Sequence, residues 1–257
     1  MQHYRNIVYN LMVAHILLIV GLYYMWDPSW LLYTVIATNV LGIVGLEVYL
    51  HRYITHQSFK MNRTVEVFLH FLTMFNLQGS YTLWASVHST HHKYSDTEKD
   101  PHPSYDFLGT WLWLGPFKKG HSIKPDVKTI RRCADNKLMQ FTDKYFFLIY
   151  WTSLAVVSLI SLKFVVYVLL LSAVLNFHLI SIFTNIIAHR YGYVDHATGD
   201  NSRNSLWLVP LAGSPFHNTH HAYPGYYTCS KKWYEVDPAG LIIKYIISSE
   251  PVKEIPK

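Results

Sequence analysis

The chain is short of charge. Only 15% of its 257 residues are Asp, Glu, Lys or Arg, where a soluble domain carries about 25%. Cysteine is nearly absent. Cys133 and Cys229 stand far apart and lack a partner motif, which excludes a disulfide framework and reads as a reduced compartment. There is no glycine-rich phosphate loop, internal repeat or low-complexity tract. No basic stripe interleaved with aromatics argues for nucleic acid. The length allows one domain of ordinary size, residues 1–257. What is abundant is apolar surface, at 51% of residues, and histidine, at 16 residues. So much imidazole suggests metal binding before any motif is found.

The apolar residues gather into runs at about 6–26, 31–50, 145–162 and 164–187. Each is long enough to cross a hydrocarbon core of roughly 30 Å. The first is too long for a signal-peptide core and has no small-residue cleavage site, so it reads as retained. The expected fold is all-α and integral to the membrane, with four transmembrane helices in two hairpins. A fifth apolar segment, 65–84, carries His70, Asn76, Gln78, Gly79 and Ser80. If it spanned, the histidines on its two sides would face opposite compartments, so it is expected to lie in the interface. The remaining stretches, 85–144 and 188–257, then form a helical cap. In this topology Lys163 is the one member of the 22 Lys and Arg residues on the far side. Positive loops stay inside, which puts both termini and the cap in the cytoplasm.

Three histidine clusters stand out: His51 and His56 in HRYITH, His88, His91 and His92 in HSTHH, and His217, His220 and His221 in HNTHH. Positions i, i+3 and i+4 share a helix face, so each HxxHH cluster can aim three imidazoles at one point. His51 and His56 are about 140° out of phase on an ideal helix. They need a bend, or each serves a different metal. Asn185 and His189 are four apart at the end of the fourth run. Nine imidazoles and an amide are too many for one ion and suit two, and all-nitrogen ligation fits Fe, Zn, Cu or Ni. Taken singly, His3, His15, His70, His121 and His196 read as interfacial polar groups. The three clusters in this order on one side do not.

The set HRYITH, HSTHHKYSDTEKDPH, NIIAHRYGY and HNTHHAYP resembles the membrane fatty acyl desaturases of the stearoyl-CoA (delta-nine) type, over residues from about 31 to 240. The resemblance implies two irons held by His51, His56, His88, His91, His92, His189, His217, His220 and His221, with Asn185 acting through a water. It also implies dioxygen as co-substrate, a fatty acyl substrate on coenzyme A, a lipid or a carrier, and a cis double bond as product. Gln78 and Trp84 match positions near the bend of the acyl tunnel, and the stretch 200–204 and WYEVDP at 233–238 match family motifs. The sequence departs from the family at Ser214, where an acid is common, and at Val87, which also often is one. The stretch after His102 follows the family only loosely.

Further residues are read from position. Glu47 sits one turn before His51 in an apolar run, where an acid costs roughly 2.5–3.5 kcal/mol if central. It is expected to accept the second N–H of a metal-bound histidine, headgroup solvation being the alternative. Asp96 and Asp100 are similar candidates, with capping or turn formation as the alternative. His178 lies near the face of Asn185 but deeper, and is expected to pack or hydrogen-bond in the bundle rather than touch substrate. No segment binds haem or flavin, so a separate donor such as a ferredoxin or small cytochrome is implied. Lys118, Lys119, Lys124, Lys128, Arg131 and Arg132 form a basic stretch suited to an acidic donor or to anionic lipid. The rival readings are a hydroxylase on the same metal site, a metal transporter with histidines strung along a membrane path, and a haem carrier using His15 and His178.

Overall fold

The computed structural model describes residues 2–114, 124–211 and 215–256. Three helices among them are long and apolar enough to cross a membrane: α1 (Gln2–Met25), α2 (Pro28–Thr55) and α8 (Leu162–His189). The turn between α1 and α2 is written locally. The Asp27 carboxylate accepts from the Ser29 N–H at 3.1 Å, and Pro28 supplies the first helical position, where its missing N–H costs nothing. Lys163, just inside α8, reaches the same Asp27 at 2.6 Å. The turns that enter α2 and α8 are thus tied together. The outer faces stay apolar, with Ile16, Ile19 and Leu32 exposed, as lipid contact requires.

The remaining elements are α3 (Arg63–Met74), α4 (Tyr81–Tyr94), α5 (Phe107–Trp111), α6 (Val127–Ala134), α7 (Lys137–Ser158), α9 (His217–Ala222) and α10 (Pro238–Ile247). The described residues hold no strand, only isolated bridges such as Met61 with Ser248.

Two expected boundaries move. The run at 145–162 is the later part of α7, which begins at Lys137. Asn136 caps it there, its side chain accepting from Leu138 N and Met139 N, and the helix carries Asp143 and Lys144 in its first half. The segment 65–84 is two helices, not one. α3 stops at Met74, Leu77 and Gly79 take positive φ of 55° and 75°, and Ser80 caps α4. Gly79 suits such a backbone; Leu77 does not. The turn is held by buried amides. Asn76 donates to Leu41 O at 3.0 Å and accepts from Asn176 of α8 at 2.9 Å.

α2 is wound more loosely than an α-helix from Val40 to Thr55, and α8 is so wound at Val165–Leu170 and Ile180–Thr184. There the N–H bonds the carbonyl five residues back, as His56 N does to His51 O at 3.1 Å. Such π-helical stretches are rare, and usually one turn long.

Candidate metal centre

The loose winding of α2 decides where its histidines point. At about 4.4 residues per turn, the phase between i and i+5 falls from about 140° to about 50°. His51 and His56 therefore share a face without a bend, their ring centroids 4.8 Å apart. α4 and α9 are ordinary helices, and there the i, i+3, i+4 spacing divides rather than converges. The i and i+4 members stay together, and the i+3 member turns about 100° away from its neighbour.

The result is two adjoining groups: His51, His56, His88, His92 and His220, and beside it His91, His189, His217 and His221. Each HxxHH cluster thus serves both groups. The expectation of three imidazoles aimed at one point is corrected by this split. The groups meet at His92 and His221, whose rings lie 4.4 Å apart.

Within the first group the ring nitrogens converge. Nε2 of His51 is 3.0 Å from that of His220, which is 3.0 Å from that of His92. His92 and His88 are again 3.0 Å apart, and His88 and His56 3.1 Å. In the second group Nε2 of His217 lies 3.0 Å from that of His189 and 3.1 Å from that of His221. Nε2 of His91 is buried without a partner.

Carboxylates set which nitrogen carries the proton. His51 Nδ1 donates to Glu47 at 2.9 Å, His91 Nδ1 to Asp100 at 3.0 Å, His189 Nδ1 to Asp96 at 2.8 Å and His221 Nδ1 to Asp200 at 2.8 Å. A neutral imidazole that gives up its Nδ1–H in this way presents a lone pair at Nε2. Those lone pairs face one another inside each group, which is unfavourable unless a cation lies between them. The spacing suits one. Ligand nitrogens about 2.1 Å from a metal are about 3.0 Å apart when they subtend a right angle, and about 3.4 Å apart in a tetrahedron. The observed 3.0–3.1 Å fits right-angled ligation better than a tetrahedral zinc site.

Electrostatics favour the ligating form. Burial, reinforced by the neighbouring histidines, pushes His56, His88, His92, His217, His220 and His221 well below the ordinary imidazole range. These rings stay neutral. For His91 burial acts in the same direction, but the Asp100 carboxylate outweighs it and raises the value. Burial alone would raise Asp96 and Asp100, yet His189 and His91 hold them below the usual carboxylate range.

The other expected residues fall as follows. Trp84 stacks on His88 at 5.1 Å and stands 6.2 Å from His51. Gln78 is buried in the α3–α4 turn and donates to Asn76 O. Asn185 is buried where the π-wound stretch of α8 ends, four residues before His189, its N–H bonded to Ile180 O. His178 accepts from Trp111 Nε1 at 2.9 Å and meets His15 Nε2 at 3.0 Å. Two nitrogens that close leave no room for a haem iron flanked from opposite sides, so the haem-carrier reading fails. In the basic stretch, Lys118 and Lys119 lie outside the described residues, as does Ser214. Arg132 is engaged in capping α2, donating to Ile54 O at 2.7 Å and Thr55 O at 3.0 Å.

Sequence reasoning missed three features. Asp200 reaches His221 from 21 residues away, and its signal was the Asx turn in which it accepts from Ser202 N. His102 is buried against His91, ring centroids 4.4 Å apart. Arg52, next to His51, is buried in a two-point pair with Asp237 at 2.7 and 3.0 Å. Its Nη1 also donates to Tyr227 O at 2.6 Å. The pair ties the first histidine helix to the C-terminal segment, and nothing local in HRYITH or WYEVDP announces it.

A family model described as fatty acid desaturase matches residues 28–243. An acyl-CoA 5-desaturase of Anemone leveillei is 29% identical over 252 residues, spanning 91% of this chain and 76% of that protein. An sn-1 stearoyl-lipid 9-desaturase of Synechocystis sp. is 31% identical over 210 residues, spanning 80% of this chain and 65% of that protein. A delta-9 acyl-lipid desaturase of Arabidopsis thaliana is 27% identical over 252 residues, with 91% and 76% covered.

Proposed function

The chain belongs to the fatty acid desaturase family, and from that premise we propose that its two histidine groups each hold an iron and together introduce a cis double bond into a saturated acyl chain. It is an oxidoreductase acting on fatty acyl groups. The observation that carries the metal assignment is the pair of adjoining groups of inward Nε2 lone pairs, five and four, backed by carboxylates. Asn185 would complete the four-imidazole group through a water.

When bound, the irons supply from dioxygen the oxidant for unactivated C–H bonds that no side chain can provide. The protein's part is positional. Glu47, Asp96, Asp100 and Asp200 hold protons at Nδ1 of His51, His189, His91 and His221 and so fix those four ring planes before metal arrives. Trp84 walls the first group with an apolar face and keeps water from it. The acyl chain is to lie along the bundle interior with one carbon pair beside the two groups, near Trp84 and Gln78.

The finer assignments follow from the same reading. The chain is one domain with four spans, α7 serving as the third, and its metal layer and termini face the cytoplasm. The substrate is carried by coenzyme A, a lipid or a carrier protein, three classes named among its relatives. Electrons come from an outside ferredoxin or cytochrome, docking over the exposed Lys124, Lys128 and Arg131.

The test is expression in a host lacking its own desaturase, with products located by mass spectrometry. Unsaturated acyl chains with one double-bond position are expected. Hydroxylated chains alone would establish the hydroxylase instead, and unaltered lipids with bound metal would favour a transporter.

A further inference from the structure

α10 has two apolar faces, and one is uncovered. Ala239, Gly240, Ile243 and Ile247 turn inward and are buried. The helix is fastened alongside the end of α2. Asp237, which caps it, grips Arg52, and beyond its other end Ser249 N donates to Lys60 O at 2.9 Å. It therefore runs beside residues 52–60, where α2 leaves its apolar stretch. Its outer face shows Leu241 at 50%, Tyr245 at 72% and Ile246 at 77% exposure, and Trp233, in the turn before it, stands at 95%. A contiguous apolar patch with aromatic members marks a binding surface.

We propose that this outer face docks on the bilayer, seating Leu241, Tyr245 and Ile246 at the boundary between headgroups and acyl chains with Trp233 beside them. The proposal rests on the membrane reading of α1, α2 and α8. Two observations choose lipid over a protein partner. The helix is held beside residues 52–60, at the end of a span, so its free face lies at the height where that span leaves the bilayer. Its charged neighbours are already matched, Lys60 with Glu250 at 3.0 Å and Lys244 with Glu254 at 2.7 Å, which gives an acidic donor little to bind. Tyr and Trp suit a boundary that is apolar on one side and wet on the other. The contact would hold the Arg52–Asp237 pair, and through it the helix of His51, at a fixed height over the membrane.

Spin labels at Leu241→Cys and Tyr245→Cys in the full chain, in phosphatidylcholine vesicles, test this. Cys133 and Cys229 are buried and stay unlabelled. Ile19→Cys, on the exposed face of α1, serves as the lipid reference, and Glu98→Cys, in an exposed turn, as the water reference. Collision with dissolved oxygen should exceed collision with a water-soluble nickel chelate at 241 and 245, as at 19 and opposite to 98. If 241 and 245 behave like 98 while 19 behaves as lipid-exposed, the docking idea falls and the membrane reading stands. If 19 also meets the chelate freely, both fall. Protection of 245 that appears only on adding a ferredoxin or cytochrome would identify a protein partner and overturn the lipid assignment.

Discussion

The two histidine groups adjoin, yet they are built differently. The first draws five imidazoles from α2, α4 and α9, with one carboxylate, Glu47, behind His51. The second draws four from α4, α8 and α9, with Asp100, Asp96 and Asp200 behind three of them. One group is rich in ligands and poor in carboxylates; the other is the reverse, with one imidazole fewer. An ion in the second group would feel more negative charge and have the freer coordination position. Two ions in one layer need not be equivalent.

Removing a ligand should break this comparison most severely. His56→Ala touches only the first group and His217→Ala only the second. Each should abolish desaturation and lower bound iron from two per chain toward one, measured by mass spectrometry of the metal. Loss of both ions from either variant would mean that the groups fill only as a unit.

Next is the Arg52–Asp237 pair, which bears on the first group alone. Breaking a buried ion pair by removing one partner costs about 3–5 kcal/mol. Asp237→Asn should lower the thermal midpoint and reduce iron in the first group before the second. Burial would raise the Asp237 carboxyl, but Arg52 outweighs it and holds it at about 2, below its ordinary 3.8. A lowered folded value means this stabilisation is present above about pH 4 and is lost as pH falls through 2. The variant and the parent should therefore differ in stability at neutral pH and converge at strong acid. A constant difference would assign the effect to packing.

The carboxylates should act more gently. Glu47→Gln and Asp100→Asn keep the shape but change the proton carried at Nδ1. Each should cost about 10–100-fold in activity or metal affinity, the former at the first group and the latter at the second. Identical effects on both ions from either change would erase the distinction between the groups.

Much of the site was legible because its residue types are rare at this density. The nine histidines that the structure gathers are those that the spacing singled out, and Glu47 stood out as an acid in an apolar run. The division between two groups was not legible. It depends on α2 being π-wound while α4 and α9 are not, and winding is settled by packing among buried side chains. Asp200 and Asp237 escaped because their partners are 21 and 185 residues away. Three of the four expected spans were legible from composition as long apolar helices, but the break between α3 and α4 rests on the Asn76–Asn176 contact, which joins two distant stretches.

The central claim is that these nine imidazoles hold two iron ions in adjoining groups. It is tested most directly by counting iron in the active, purified full chain by inductively coupled plasma mass spectrometry. Two irons per chain are expected, with desaturation falling in step as a chelator removes them. Activity that persists in metal-free protein, or full activity with a single ion per chain, would contradict the account.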